Sequence, residues 1–233
     1  MNPYSQNKVL GTSKDSLISD IYLMDCIEGM KQYPDNYFEL AIVDPPYGIG
    51  EDGGDKQRNF RSKKCPKGTN KHYTKKNWDN SKPNADYFIE LKRVSKNQII
   101  WGGNYFVDYL DSSMGWIFWD KKNGESDFSD GELAYTSFNK GLRKFEWLWA
   151  GFQKQRPETR IHPTQKPIQL YKWILDKYAK QGDKILDTHL GSASSRIAAY
   201  DLNFDFTGFE LDPEYIEQST IRFNNHINQL TLF

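Results

Sequence analysis

Short apolar runs alternate with polar and glycine-rich stretches along most of the chain, and their spacing predicts strands at 20–24, 39–43, 97–101, 116–119, 133–138, 146–150, 184–186 and 204–209. Between them, apolar residues recur at helical spacing over 26–32, 84–94, 105–110, 167–180, 192–200 and 213–227. Pro167 and Pro213 suit a first helical turn, where the missing N–H is no loss. Strands alternating with helices predict an α/β sheet that is mostly parallel. The stretch 116–150 breaks the alternation and reads as antiparallel strands joined by turns such as Asn123-Gly124 and Asn139-Lys140-Gly141. Residues 48–83 carry few apolar side chains and much Gly, Lys and Asn, so they are expected to form a long, mobile loop.

Composition adds bounds. The 233 residues suffice for one sizeable domain, expected to span 1–233. With 37% hydrophobic and 27% charged residues, a soluble globular protein is expected. No apolar run reaches membrane-spanning length, and no signal peptide is visible. Cys26 and Cys65 lie far apart without ligand spacing, so reduced thiols in a cytoplasmic protein are expected, and no metal. Lys plus Arg equals Asp plus Glu at 31 each, so net charge is silent about a polyanionic partner. The distribution is not silent: between Lys56 and Lys76 there are nine Lys or Arg and no acid. Lys56, Arg58, Arg61, Lys63, Lys64, Lys67 and Lys71 are therefore candidate phosphate contacts, although a solvated loop would carry the same composition. Lys121, Lys122, Lys140, Arg143, Lys144, Lys154, Arg156 and Arg160, within 116–160, form a candidate second basic edge.

Candidate chemistry begins where the buried-strand pattern Ala41-Ile42-Val43 runs into Asp44-Pro45-Pro46-Tyr47. In open α/β sheets ligands bind beyond the carboxyl ends of the strands. Two prolines remove two N–H donors and leave outward carbonyls beside one carboxylate and one phenol ring. That set suits an exocyclic base amine, a poor nucleophile with two N–H groups. The Asp44 carboxylate and the Pro45 carbonyl can each accept one, and Tyr47 can stack on an extruded base. A proline-rich turn would also end the strand here, so the tetrapeptide alone does not decide.

A second candidate half lies near the other end. The strand at 184–186 enters Asp187-Thr188-His189-Leu190-Gly191-Ser192-Ala193-Ser194, and a helix follows. Such a turn lets a nucleotide-like ligand approach the backbone. The next strand ends in Glu210, 19 residues past Gly191, where an acid can accept from both ribose hydroxyls. The third phosphate-binding glycine is missing, which favours a cofactor without phosphates such as S-adenosylmethionine.

Taken together, these blocks resemble the amino-group DNA methyltransferases of the beta type, which make N6-methyladenine or N4-methylcytosine. Asp44-Pro45-Pro46-Tyr47 matches the catalytic block, and His162-Pro163-Thr164-Gln165-Lys166-Pro167 a family hexapeptide. Asp187 to Ser194 stands for Asp-Pro-Phe-x-Gly-Ser-Gly-Thr, and Glu210 for the ribose-binding acid. Trp101-Gly102-Gly103-Asn104-Tyr105 and the Gly115-Trp116 run resemble short, phage-type members. The resemblance implies a Rossmann-like S-adenosylmethionine-dependent methyltransferase fold. Its sheet is mostly parallel and seven-stranded, with an antiparallel hairpin, circularly permuted so that the catalytic strand comes first. It implies that Asp44, Pro45, Pro46 and Tyr47 are catalytic. Asp187, His189, Gly191 and Ser192 would line the methionine portion of the cofactor, with Thr164 and Lys166 supporting that end. Asp25 would read the adenine amine, and Glu210 the ribose. Two departures stand out: His189 replaces the Phe and Ala193 the second Gly. Duplex DNA is the implied partner. A homodimer and a cognate restriction enzyme are compatible with the resemblance alone. Adenine N6 by base flipping is the leading expectation, because Asp opens the catalytic block. Cytosine N4, an amine on RNA or protein, and a catalytically inactive DNA-binding module are the alternatives.

Overall fold

A computed structural model describes residues 8–9, 17–54, 73–123, 129–150 and 153–230. The strands are β1 (Lys8–Val9), β2 (Ser19–Leu23), β3 (Phe38–Val43), β4 (Ser95–Trp101), β5 (Trp116–Asp120), β6 (Gly131–Thr136), β7 (Arg143–Glu146), β8 (Trp149–Ala150), β9 (Gln153–Lys154), β10 (Lys184–Asp187) and β11 (Asp205–Glu210). The helices are α1 (Cys26–Met30), α2 (Ala85–Val94), α3 (Ile168–Tyr178), α4 (Ser194–Asp201) and α5 (Pro213–Leu230), with a 3₁₀ turn at Gly103–Tyr105.

Continuous apolar runs become strands buried on both faces, as a parallel sheet requires. β2, β11, β10, β3 and β4 lie side by side and parallel. β6 and β5 follow, with β6 antiparallel to both β4 and β5. These seven strands are the expected sheet with its antiparallel hairpin. β1 and β7 extend it at the two edges to nine. The catalytic-strand candidate β3 precedes the cofactor-strand candidate β10 in the chain and lies beside it in the sheet, with Leu40 opposite Ile185.

Side chains alternate across the sheet with period two. Leu40 and Ile42 face one core with Ile99, Trp101, Ile185 and Phe206, covered by Leu170, Ile174 and Leu175 of α3 and Ala198 and Ala199 of α4. Ala41 and Val43 face the other, covered by Met30 of α1 and Tyr87, Phe88, Leu91 and Val94 of α2. No helix among the described residues is long and apolar enough to cross a membrane.

Three expectations change. The run 146–150 is not one strand: the chain leaves β7, and Trp149 turns inward, donating its indole N–H to the Gln165 carbonyl at 3.0 Å. β7 is also parallel to β5, because β4 already occupies the free side of β6. The segment 105–110 is no helix: the 3₁₀ turn ends at Tyr105, and a turn closed by the Tyr109 N–H on the Phe106 carbonyl follows. Phe106 buries against the Phe88 ring and Tyr109 stacks on it, so ring packing replaces the backbone ladder that a short helix nucleates poorly.

Candidate active site

Asp44 follows β3 directly, and both of its carboxylate oxygens are engaged. Oδ1 accepts the Tyr47 hydroxyl at 2.6 Å, and Oδ2 accepts the Lys166 ammonium at 2.5 Å. The same Nζ lies 3.0 Å from Glu132 Oε2, on β6, and Lys121 at the end of β5 pairs with Glu132 Oε1 at 2.6 Å. Burial pushes the Asp44 carboxyl up, and Lys166 only partly offsets it, so its pKa stays above the ordinary aspartate value. Burial works against the Lys166 ammonium, but the two carboxylates outweigh it and its pKa rises. Glu132 is also penalised by burial, yet Lys166 and Lys121 hold it down to about 2.

The resemblance placed Lys166 at the cofactor's methionine portion. The structure sets its ammonium on Asp44, while its carbonyl accepts the Ser194 hydroxyl at the start of α4 at 2.8 Å. The hexapeptide therefore ties the turn before α4 to the end of β3. Tyr47 stacks on Tyr105, with ring centroids 4.9 Å apart and planes 13° apart. Its ring lies so close to Gly102 that a Cβ there would meet Cε1 at 2.2 Å, and Gly102 has φ +67°. Only glycine satisfies both conditions. Pro45 is buried, and Pro46 is half-buried.

On the neighbouring strands three acids stand at or just past the carboxyl ends: Asp187 on β10, Glu210 on β11 and Asp25 after β2. Glu210 Oε2 accepts the Gly191 N–H at 2.8 Å and Oε1 accepts those of Leu211 and Asp212, while burial raises its pKa. Asp25 is exposed and caps α1, accepting from Ile27 and Glu28. Asp187 accepts the Ser195 hydroxyl at 2.5 Å and the His189 N–H at 3.0 Å. Burial is the largest influence on it, and the nearby Asp44 charge adds to it, pushing its pKa to about 7. The folded state thus binds this proton more tightly than the unfolded chain. Its stabilising contribution is full below about pH 4 and is lost as pH rises through about 7. Asp187→Asn is expected to flatten the fall in unfolding free energy between those pH values, as measured by urea titration across a pH series.

His189 sits edge-on to Tyr87, with its Nδ1 2.9 Å from the Thr188 hydroxyl, and burial lowers its pKa to about 4. It is a neutral wall beside the turn, in the place of the phenyl ring. Ser192 is buried, and its carbonyl accepts from Arg222. Thr164 is exposed, with its hydroxyl 3.1 Å from His162 Nδ1, and the His162 ring stacks on Trp78. Gly191 has φ +48°, and the atoms nearest to a Cβ built there belong to the His162 ring, no closer than 3.5 Å. The turn therefore leaves a cradle next to Glu210. Ala193, in place of the second glycine, is held at φ 58° and is fully buried. A left-handed alanine costs roughly 1–2 kcal/mol relative to its normal conformation. Ala193→Gly is expected to raise stability by about 1 kcal/mol, visible as a higher Tm, since the gain slightly exceeds the added entropy of the unfolded chain.

Residues 48–54 and 73–83 pair as a stem. The buried Asp79 carboxylate accepts the Gly48 N–H at 2.8 Å and the Glu51 N–H at 2.7 Å. Gly54 donates to the Tyr73 carbonyl and Lys76 to that of Asp52. Lys76, the last cation of the basic run, is ion-paired with Asp212 at 2.9 Å and Glu214 at 2.7 Å. Lys56, Arg58, Arg61, Lys63, Lys64, Lys67 and Lys71 lie outside the described residues. Part of the second basic edge is internally compensated: Lys121 pairs with Glu132, and Lys144 with Asp120 and Glu146.

A family model described as DNA methylase, the N6/N4 group, matches residues 84–221. The chain belongs to the N6/N4 DNA methylase family. That span begins at α2 and takes in Glu132, the hexapeptide, the Gly191 turn and Glu210, while Asp44 lies before it. The methylase is 24% identical to the type II methyltransferase M.HpaI of Haemophilus parainfluenzae, over 88% of this chain and 74% of that one. It is 25% identical to M2.MboI of Moraxella bovis, over 88% and 87% respectively. Its fold is similar to that of the cytosine-N4-specific PvuII DNA methyltransferase, with a TM-score of 0.60 at 13% identity over 97% of this chain and 95% of that one. M1.HpyAVI, solved with S-adenosylmethionine, gives 0.53 at 19% identity over 88% and 98%. Glu132 had no local signature in the sequence: it is a single acid at the start of a strand, and its partner Lys166 lies 34 residues further on.

Proposed function

We propose that this methylase transfers a methyl group from S-adenosylmethionine to the N6 amine of an adenine flipped out of duplex DNA. The observation that carries the reading is the position of the Asp44 carboxylate. It stands at the end of β3 beside the Tyr47 ring, one strand away from the Gly191 cradle and close enough that its charge raises the pKa of Asp187.

The residues fit the cofactor. Glu210 offers a carboxylate beside a glycine turn with open space, as a ribose diol requires, and Asp25 adds an acceptor at the next strand end. S-adenosylmethionine, when bound, would supply an electrophilic methyl group on its sulfonium sulfur. The protein's part is placement. Asp44 accepts one amine N–H and the Pro45 carbonyl the other, turning the nitrogen lone pair toward the electrophile. Tyr47 and the partly exposed Tyr105 form an aromatic wall against which a flipped base can stack. Ionised Asp44 is the active form, so activity falls as pH drops through a pKa held above the usual aspartate value.

Asp rather than Ser at the head of the catalytic block favours adenine over cytosine. The likeness to a cytosine-N4-specific fold keeps N4-cytosine as the second reading. Incubation of the protein with unmodified DNA and labelled S-adenosylmethionine, digestion to nucleosides and mass identification separates the two. N6-methyldeoxyadenosine is the expected product. N4-methyldeoxycytidine would replace the lead, and label in RNA or protein with none in DNA would overturn the substrate class.

The basic segment is proposed to grip DNA phosphates. Lys63→Gln, Lys64→Gln and Lys67→Gln together are expected to weaken duplex binding uniformly across sequences. They should also flatten the dependence of log K on log salt by about one unit for each phosphate no longer neutralised, as measured by fluorescence anisotropy.

A further inference from the structure

Asp44 must accept an N–H of the target amine, yet both of its oxygens already hold donors. Each oxygen has room for a second bond, but an incoming N–H competes with the donor already there, and the donor with another acceptor in reach yields most readily. Tyr47 has Asp44 as its acceptor, whereas Lys166 reaches a second carboxylate from where it stands, 3.0 Å away. We propose, resting on the catalytic reading of Asp44, that Glu132 is a positioning residue that takes over the Lys166 ammonium when the target amine binds Asp44.

The surroundings of Lys166 make such an acceptor necessary. Its side chain is 3% exposed, and its ammonium lies over the Trp101 indole at 5.3 Å and the Tyr47 ring at 5.7 Å. A desolvated ammonium released from its only carboxylate would be strongly destabilising. With Glu132 in reach, the cation shifts between two carboxylates and stays paired throughout. The acceptor is itself held ready. Lys121 grips Oε1, its ammonium lies over the Trp119 ring at 5.1 Å, and the two lysines keep Glu132 ionised across the working pH range. Two lysines and two carboxylates leave the cluster neutral. The other groups acting on it are the Tyr47 phenol, the Tyr171 phenol of α3, Asp187 of β10 and His162, whose ring is kept neutral by burial and by the Lys166 charge.

Opposite variants give opposite signs. In Glu132→Gln the ammonium has a single carboxylate and clamps Asp44. We expect kcat on DNA to fall on the order of tenfold, S-adenosylmethionine affinity to be unchanged, and the acid limb of the kcat/KM profile to move to lower pH. In Lys121→Met a positive charge near Asp44 is lost and Glu132 draws Lys166 away, so the acid limb moves to higher pH. Glu132→Asp keeps the charge and should hold the limb near its native position. Should Glu132→Gln fail to fold, as judged by thermal unfolding, the other two variants carry the test. The proposal is overturned if Glu132→Gln and Lys121→Met leave kcat and the limb unchanged, or lower activity without moving the limb, while Asp44→Ala is inactive. Activity retained in Asp44→Ala would remove the catalytic reading beneath it.

Discussion

Asp44→Ala is expected to lower the rate of methyl transfer to DNA by on the order of 10³-fold or more while S-adenosylmethionine still binds with near-native affinity. Loss of a single preorganised group at a site of developing charge commonly costs about 10²–10³ in rate. In the proposed reaction the acceptor that orients the amine is also the one that faces its growing positive charge. The cofactor-side contacts do not pass through Asp44: Glu210 is held by Gly191, Leu211 and Asp212, and Asp187 by Ser195 and His189. Lys166 keeps Glu132 as a partner, so the variant should fold. Single-turnover methylation alongside calorimetric titration of S-adenosylmethionine checks both halves. Wild-type turnover would refute the role given to Asp44.

Lys166→Met is expected to be the most damaging substitution for stability among the site residues. Removing one member of a buried ion pair while leaving its partner charged typically costs about 3–5 kcal/mol. Here two carboxylates lose a shared cation, although Lys121 still serves Glu132. The sign with pH follows from Asp44. Its pKa is already raised by burial, and without Lys166 it rises further. The penalty is therefore full where Asp44 is ionised and shrinks as pH falls below its pKa and the carboxyl takes up a proton. Unfolding midpoints should differ most from wild type at neutral pH and converge in mild acid. A difference that is independent of pH would show that the loss comes from packing alone.

Much of this was legible in the sequence because it is local. A buried apolar run ending in Asp44-Pro45-Pro46-Tyr47 places a carboxylate at a strand end, and β3 does so. The same holds for Asp187 at the end of β10 and Glu210 at the end of β11, both within one or two residues of the expected strand ends. The paired charges were not legible. Lys166 and Asp44 are 122 residues apart, and only the parallel pairing of β10 with β3 brings the segment before α3 to the catalytic strand end. The residue types of the hexapeptide were visible, but not the direction in which its lysine points. Among the cations of the second basic edge, charge counting marks Lys121 and Lys144 as free for DNA, yet strand neighbours neutralise both. Register, not composition, decides that. The 105–110 segment has the right apolar spacing for a helix, and packing against Phe88 overrides it.

The stem that Asp79 closes has an evolutionary consequence. Because Gly54 and Tyr73 are already bonded across its end, the chain enters and leaves the intervening segment at two fixed, adjacent points. For a flexible insert, doubling the length between such points adds only about 0.6 kcal/mol of closure entropy. Segments of different length and sequence can therefore be exchanged at this point while Asp44 and its partners stay in place.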